Sequence, residues 1–287
     1  IAENIETRKI MPKSQWNFGS HDARDFGSKI LKSILGDLRF DFPKSLYAVH
    51  DCLRYFVNSK PNALIVDFFA GSGTTLHAVN LLNQEDGGHR RCILITNNEV
   101  SDEESKKLLE KGINLGDAEW NELGIARYVT WPRTVCSILG RDLKGEAIKG
   151  KYLGSDALME NGFKANAAFF HLGFLDKTAV ALGMQFAEML PVLWLKAGGI
   201  GKCPIIARNT VPPILILPEN KFAVLTNENA FALFEEELAH HPEIQTVFLA
   251  TDYDVNYRAM VKNLKVENTF QLYRDYLDHF RLNRGRN

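Results

Sequence analysis

The sequence predicts an α/β fold in two domains, and three observations lead there. Residues 63–69 form a short, continuous apolar run that stops at Gly71 and Gly73; a helical pattern and a second apolar run, residues 92–96, follow. That is the sequence form of a right-handed strand-helix-strand unit in a parallel sheet. Past Gly198-Gly199, strand-like and helix-like segments alternate again, which implies a second parallel sheet. The composition, 45% hydrophobic and 24% charged over 287 residues, is that of a globular chain long enough for two cores.

Taken in order, residues 1–25 are polar, interrupted at Pro12 and without period, and read as a connecting arm. Ile30, Leu31, Ile34 and Leu35 then share a helical face before Gly36 ends the run. Residues 46–56 read as a second helix with Leu46, Val49, Leu53 and Phe56 on one stripe and Pro43 ahead of its first turn. Residues 63–69 read as a strand buried on both faces, 75–82 as a helix, 92–96 as the next buried strand, 101–111 as a charged helix and 125–131 as a third strand. Gly145, Gly150 and Gly154 lie among charges in residues 144–155, and a domain boundary or an excursion is expected there, giving domains 1–150 and 151–287.

The second half opens on an aromatic group, Phe163, Phe169, Phe170, His171 and Phe174, and a long helix over residues 178–196. Strands are expected at 214–217, 222–226, 246–250 and 269–272, with helices at 228–239 and 256–264 and a last one from about Arg274. Asp252 and Asp254 are expected to cap a helix, and His240-His241 to end one, rather than to hold a metal.

Several function classes drop out. Four scattered cysteines with no C-x-x-C pair point away from zinc sites and disulfide frameworks, toward a reducing, cytoplasmic setting. No apolar run approaches the roughly 20 residues of a membrane span. A net charge of -1 leaves little nonspecific affinity for phosphate backbones. The chain opens on Ile1 with no signal-peptide pattern, and this start suggests a fragment or a processed chain.

A glycine-rich turn between a buried strand and a helix makes a ligand site because glycine lets backbone approach the ligand closely outside the carboxyl end of the sheet. The dinucleotide fingerprint would need glycine where Leu76 stands, and a phosphate-binding loop would need a lysine that this turn lacks. The segment Asp67-Phe68-Phe69-Ala70-Gly71-Ser72-Gly73-Thr74-Thr75 instead closely resembles the first motif of S-adenosylmethionine-dependent DNA amino-methyltransferases.

The resemblance implies a partial Rossmann-like methyltransferase sheet plus a second, smaller α/β domain. It places Asp67, Phe69, Gly71, Ser72 and Gly73 along the methionine part of S-adenosyl-L-methionine. Upstream, Phe40-Asp41-Phe42-Pro43-Lys44-Ser45, with Gly27-Ser28-Lys29 before it, resembles the segment that contacts the cofactor carboxylate in one permuted class of these enzymes. Lys44 would supply the charge, and Ser45 would start a helix whose free amides accept an anion. Asn97 or Glu99, after the next strand, would meet the ribose; alternatively Asn97 and Asn98 are turn residues and Glu99 a surface charge.

Such enzymes flip the target base and hold its amine against an Asp/Asn-Pro-Pro-aromatic tetrapeptide. The sequence contains none: its only Pro-Pro, Pro212-Pro213, stands between Val211 and Ile214. No catalytic residue and no metal ligand are therefore assigned. In the permuted order the tetrapeptide precedes Lys44, so the chain reads as a C-terminal portion. Residues 125–133 and the tail further resemble the Mod subunits of type III restriction-modification systems, implying adenine-N6 methylation, DNA and a restriction subunit as partners, and a possible homodimer. Cytosine-N4 methylation and a noncatalytic assembly module stay open as alternatives. Arg127 and Arg133 flank Trp131, a grouping that packs in a core or stacks on single-stranded nucleic acid.

Overall fold

A computed structural model describes residues 15–173, 186–207 and 211–272. The chain divides between Phe169 and Phe170 into two compact units. The final helix expected from Arg274, residues 178–185 of the long helix, Pro12 and Phe174 lie outside the described residues.

In the first unit, α1 (Lys29–Leu35) buries Leu31, Ile34 and Leu35 and stops at Gly36, whose φ of 81° supplies the left-handed C-cap. α2 (Leu46–Val57) starts at the Ser45 cap, and α3 (Thr74–Asp86) connects β1 (Leu64–Asp67) to β2 (Arg91–Leu94). The two strands are parallel, with Ile65 opposite Cys92 and Val66 opposite Ile93. Leu31, Ile34, Leu46, Ala78, Leu81 and Val129 form the main core. A smaller cluster, Val100, Leu108 and Trp120, holds α4 (Asp102–Glu110) and α5 (Ala118–Glu122).

Three expectations for this unit need correction. β1 and β2 are not buried on both faces: Leu64, Val66, Phe68, Ile93 and Ile95 are each 42 to 64% exposed, because no layer among the described residues covers that side. Residues 125–131 are not a strand. Ala126–Thr130 is a turn of π-helix running into α6 (Trp131–Leu139), with Pro132 in the helix's first turn. The β-branched and aromatic residues there are overruled by tertiary bonds, since the Thr130 hydroxyl donates to the Gly71 carbonyl at 2.6 Å and approaches that of Ile125 at 3.2 Å. The aromatic group at residues 163–174 is not one cluster either. Phe163 packs on His77 and Tyr152, Phe169 on Trp131, and Phe170, in the second unit, on Trp194. Residues 144–155 contribute to two bridged turns, with Arg141 opposite Ala147 and Lys151 opposite Leu158.

The second unit carries a four-stranded sheet in the order β3 (Ile214–Leu217), β4 (Phe222–Leu225), β5 (Thr246–Ala250), β6 (Asn268–Leu272). β4, β5 and β6 are parallel, but β3 is antiparallel to β4, so the sheet is mixed rather than parallel throughout. The link from β3 to β4 is only the single turn Pro218–Asn220, too short for a crossover, and a link that short permits only a hairpin. Here the strands are covered on both faces. Phe222, Val224 and Phe248 pack on α7 (Phe186–Lys196), while Ala223, Leu225, Val247 and Leu249 pack on α8 (Phe231–Ala239) and α9 (Asp254–Val261). His240 is the C-cap of α8, and His241 pairs with Glu243 at 3.1 Å. Asp254 opens α9 and pairs with Arg258 at 2.8 Å. Among the described residues, no three His, Cys, Asp or Glu side chains are placed to hold a metal ion, and no helix is long and apolar enough to cross a membrane.

Candidate functional site

The glycine-rich turn is closed by Asp67 at the end of β1. One carboxylate oxygen accepts the Phe69 N–H at 3.0 Å and the other the Thr75 hydroxyl at 2.6 Å, tying the strand end to the first turn of α3. Gly71 and Gly73 adopt φ of 49° and 75°, the left-handed region that favours glycine. Gly73 is the N-cap of α3 and makes no side-chain cap bond; Gly73 and Thr74 are buried, and Thr75 of the same first turn faces the cavity described below.

The upstream segment meets this turn directly. A Cβ at Gly71 would stand 3.1 Å from the Phe40 ring, and one at Gly27 only 2.3 Å from the Pro43 carbonyl, so Gly27 lets α1's entry lie against Pro43 and Lys44. The Ser45 hydroxyl accepts the Ala48 N–H at 3.4 Å as the cap of α2 and donates to the Ser20 carbonyl at 2.7 Å. Lys44 is exposed and makes no ion pair among the described residues.

A cavity of about 620 Å³ opens between these segments, lined by Lys44, Ser45, Asp67, Phe68, Phe69 and Thr75, among others. Four of the nine residues expected to hold a cofactor thus line one space: Lys44, Ser45, Asp67 and Phe69. Phe69 is 93% exposed, an aromatic face available for stacking. Gly71, Ser72 and Gly73 form the adjoining turn but do not line the cavity, and Ser72 is buried. Asn97 and Glu99 lie past the end of β2, exposed and hydrogen-bonded to each other at 3.1 Å, outside this cavity. Asn98 is structural: it accepts the Arg127 N–H at 3.2 Å and donates to the Asn121 carbonyl at 2.6 Å.

Behind the turn stands a residue that the sequence leaves open between core packing and nucleic-acid contact. Arg133 is fully buried, not a surface contact for nucleic acid, and donates to the Thr74 hydroxyl at 2.7 Å and the Ser72 hydroxyl at 3.0 Å. Burial lowers its pKa to about 10, leaving it a cation at neutral pH. His77, next to it on α3, shares a 2.8 Å hydrogen bond with the Tyr152 phenol, and burial together with the Arg133 charge keeps its pKa well below 6.5. Had residues 126–139 been read as helical, the spacing of Val129, Arg133 and Cys136 would have put Arg133 on the buried face. Arg127 stays on the surface, paired with Glu122 at 3.1 Å and set over the Phe169 ring.

Residues 11–145 match the family model described as DNA methylase. The matched stretch holds β1, the glycine turn, the Lys44 segment and α6, so every residue of the cavity described above falls within it. The chain is similar to the type II methyltransferase M.KpnI of Klebsiella pneumoniae, 42% identical over 91 residues, which is 32% of this chain and 21% of that protein. It is also similar to the EcoPI Mod subunit of the type III restriction-modification enzyme of Escherichia phage P1, 38% identical over 96 residues, 33% of this chain and 14% of that protein. The StyLTI Mod subunit of Salmonella typhimurium is 43% identical over 70 residues, 24% of this chain and 10% of its own length. Each match spans about a fifth or less of the relative's own length.

Proposed function

We propose that this chain is the C-terminal, cofactor-holding part of a site-specific DNA methyltransferase that acts on N6 of adenine within a restriction-modification system. The observation that carries the reading is the cavity in which Lys44 and Ser45, from one motif, meet Asp67 and Phe69, from another about 23 residues on in sequence. The donor set fits S-adenosyl-L-methionine. An exposed ammonium at Lys44 and the uncapped N-terminus of α3 suit the carboxylate, the Asp67 carboxylate suits an ammonium, and Phe69 offers an apolar face. The bound cofactor supplies an electrophilic methyl group.

What the chain's own residues do is hold and orient. The bonds from Asp67 to Phe69 and Thr75 fix the turn, and Gly27 and Phe40 fix the Lys44 segment against it. Gly71, Ser72 and Gly73 shape the turn that adjoins the cavity. Asn97 and Glu99, at the end of β2, would reach the ribose from outside the cavity. We assign β1 and β2 to a Rossmann-like methyltransferase sheet whose remaining strands, with the Asp/Asn-Pro-Pro-aromatic tetrapeptide and target recognition, belong to another part of the parent protein. DNA, and a restriction subunit such as a Mod subunit's partner, then become partners of that parent in the cytoplasm, and the chain alone does not turn over. The second unit, residues 170–287, serves assembly.

Calorimetry of the chain with S-adenosylhomocysteine tests the reading, with Lys44→Ala and Asp67→Asn as controls. Binding that each substitution weakens is expected. Absence of binding, alone and with the tetrapeptide-bearing part supplied, overturns it, and methylation of DNA by the chain alone overturns the assignment of catalysis elsewhere.

A further inference from the structure

Arg133 is the largest fully buried side chain of the described residues, and no carboxylate among them pairs with it. Its Nη1 donates to Thr74 Oγ1, Ser72 Oγ and, at 3.3 Å, the Ser72 carbonyl, while Nε and Nη2 find no acceptor. Folding a guanidinium into the interior without a counter-charge costs stability, and an apolar side chain of similar volume would fill the space more cheaply.

The groups that Arg133 grips indicate what offsets that cost. Ser72 and Thr74 flank Gly73, the uncapped start of α3, and Thr130, one turn before Arg133 on the same helical segment, holds the Gly71 carbonyl. α6 and the π-turn before it therefore clamp the back of the whole glycine turn. Neutral His77 beside it contributes no second charge. Gly73 and Thr74 at that N-terminus are buried and Thr75 reaches the cavity, so a cation buried behind them adds to the potential of the helix end, at a depth where salt screens little.

We propose that Arg133 is a positioning residue for the carboxylate end of the ligand: it fixes Ser72 and Thr74 and adds its charge to the N-terminus of α3, so that the turn selects an anionic group. The inference rests on the cofactor reading above and goes past it in naming a residue that touches no ligand yet sets which ligand the turn prefers.

The test compares two ligands that share adenosine and a thioether sulfur, S-adenosylhomocysteine and 5′-methylthioadenosine, of which only the first carries a carboxylate. Calorimetry on the full chain reads both affinities for wild type, Arg133→Met and Arg133→Lys, and thermal midpoints are measured alongside. Arg133→Met is expected to weaken S-adenosylhomocysteine on the order of tenfold. It should leave methylthioadenosine unchanged, at an equal or higher thermal midpoint. Arg133→Lys, which keeps the charge, is expected to keep most of the preference, and it decides the matter should the Met variant not fold. Equal weakening of both ligands, weakening of neither, or loss of the preference in a folded Lys variant overturns the inference. Wild type that binds both ligands alike overturns it while the cofactor reading stands; wild type that binds neither removes both.

Discussion

Gly27 shows how far a single missing side chain can reach into the site. It adopts no left-handed backbone, yet a Cβ there would sit 2.3 Å from the Pro43 carbonyl, a rigid main-chain atom that cannot swing aside. Gly27→Ala is expected to push residues 43–44 outward, to cost about 1–3 kcal/mol as overpacking does, and to weaken S-adenosylhomocysteine through Lys44; urea unfolding and calorimetry read the two effects separately. His77 carries a pH prediction. Burial and Arg133 keep it neutral in the fold, whereas in the unfolded chain it takes up a proton below about pH 6.5. Stability supplied by this group is therefore complete above that pH and declines as pH falls, by up to ~1.4 kcal/mol per unit. Thermal midpoints between pH 7.5 and 5 should fall less steeply, on the order of that amount per unit, in His77→Gln than in wild type; parallel profiles would show that His77 is not the group. At this scale Lys44, Asp67 and Gly71 stand out in the sequence through the motif resemblance, and the fold brings Lys44 and Asp67 to one cavity with Gly71 in the adjoining turn. Arg133 stayed hidden, since nothing local distinguishes an arginine that faces solvent from one folded under a turn.

The elements that the periodicity predicts with confidence in type are those whose local preference and tertiary setting agree. α2 is such a case: a stripe at Leu46, Val49 and Leu53, with Ser45 capping it through the Ala48 amide. Ser45→Ala removes that cap and the bond to the Ser20 carbonyl together, and a loss of roughly 1–2 kcal/mol in urea unfolding is expected. An unchanged midpoint would mean that neither the cap bond nor the bond to Ser20 contributes. Strands β5 and β6 likewise fall where the apolar runs put them. The failures come where partners distant in sequence decide. Ile125, Tyr128, Val129 and Thr130 favour a strand, but the Gly71 carbonyl captures the Thr130 hydroxyl, and a Cβ at Gly124 would clash with Asn98, so the chain must coil there. β3 was legible as a strand but not in direction, since that depends on whether the four residues between Leu217 and Phe222 can form a crossover.

Across the whole molecule the two sheets make opposite demands. The second unit's sheet packs helices on both faces, so its apolar residues are accounted for within the unit. Among the described residues the β1–β2 sheet is covered on one side only, and Leu64, Val66, Phe68, Ile93 and Ile95 line up on the other beside strand edges that no described strand pairs. A run of exposed apolar residues at a sheet edge lowers its free energy by meeting another apolar surface. In the parent protein, on the reading proposed above, that surface is the remainder of the methyltransferase sheet. For the chain by itself the available surface at high concentration is a second copy. Sedimentation velocity across a rising concentration series is expected to show reversible self-association. Val66→Glu with Ile93→Lys, cross-strand partners on the exposed face, should hold the chain monomeric without loss of thermal stability, because neither position contributes to the core. A wild-type chain that stays monomeric throughout would mean that the face is too small or too polar at its rim to drive association. Association that survives the double substitution would place the interface elsewhere.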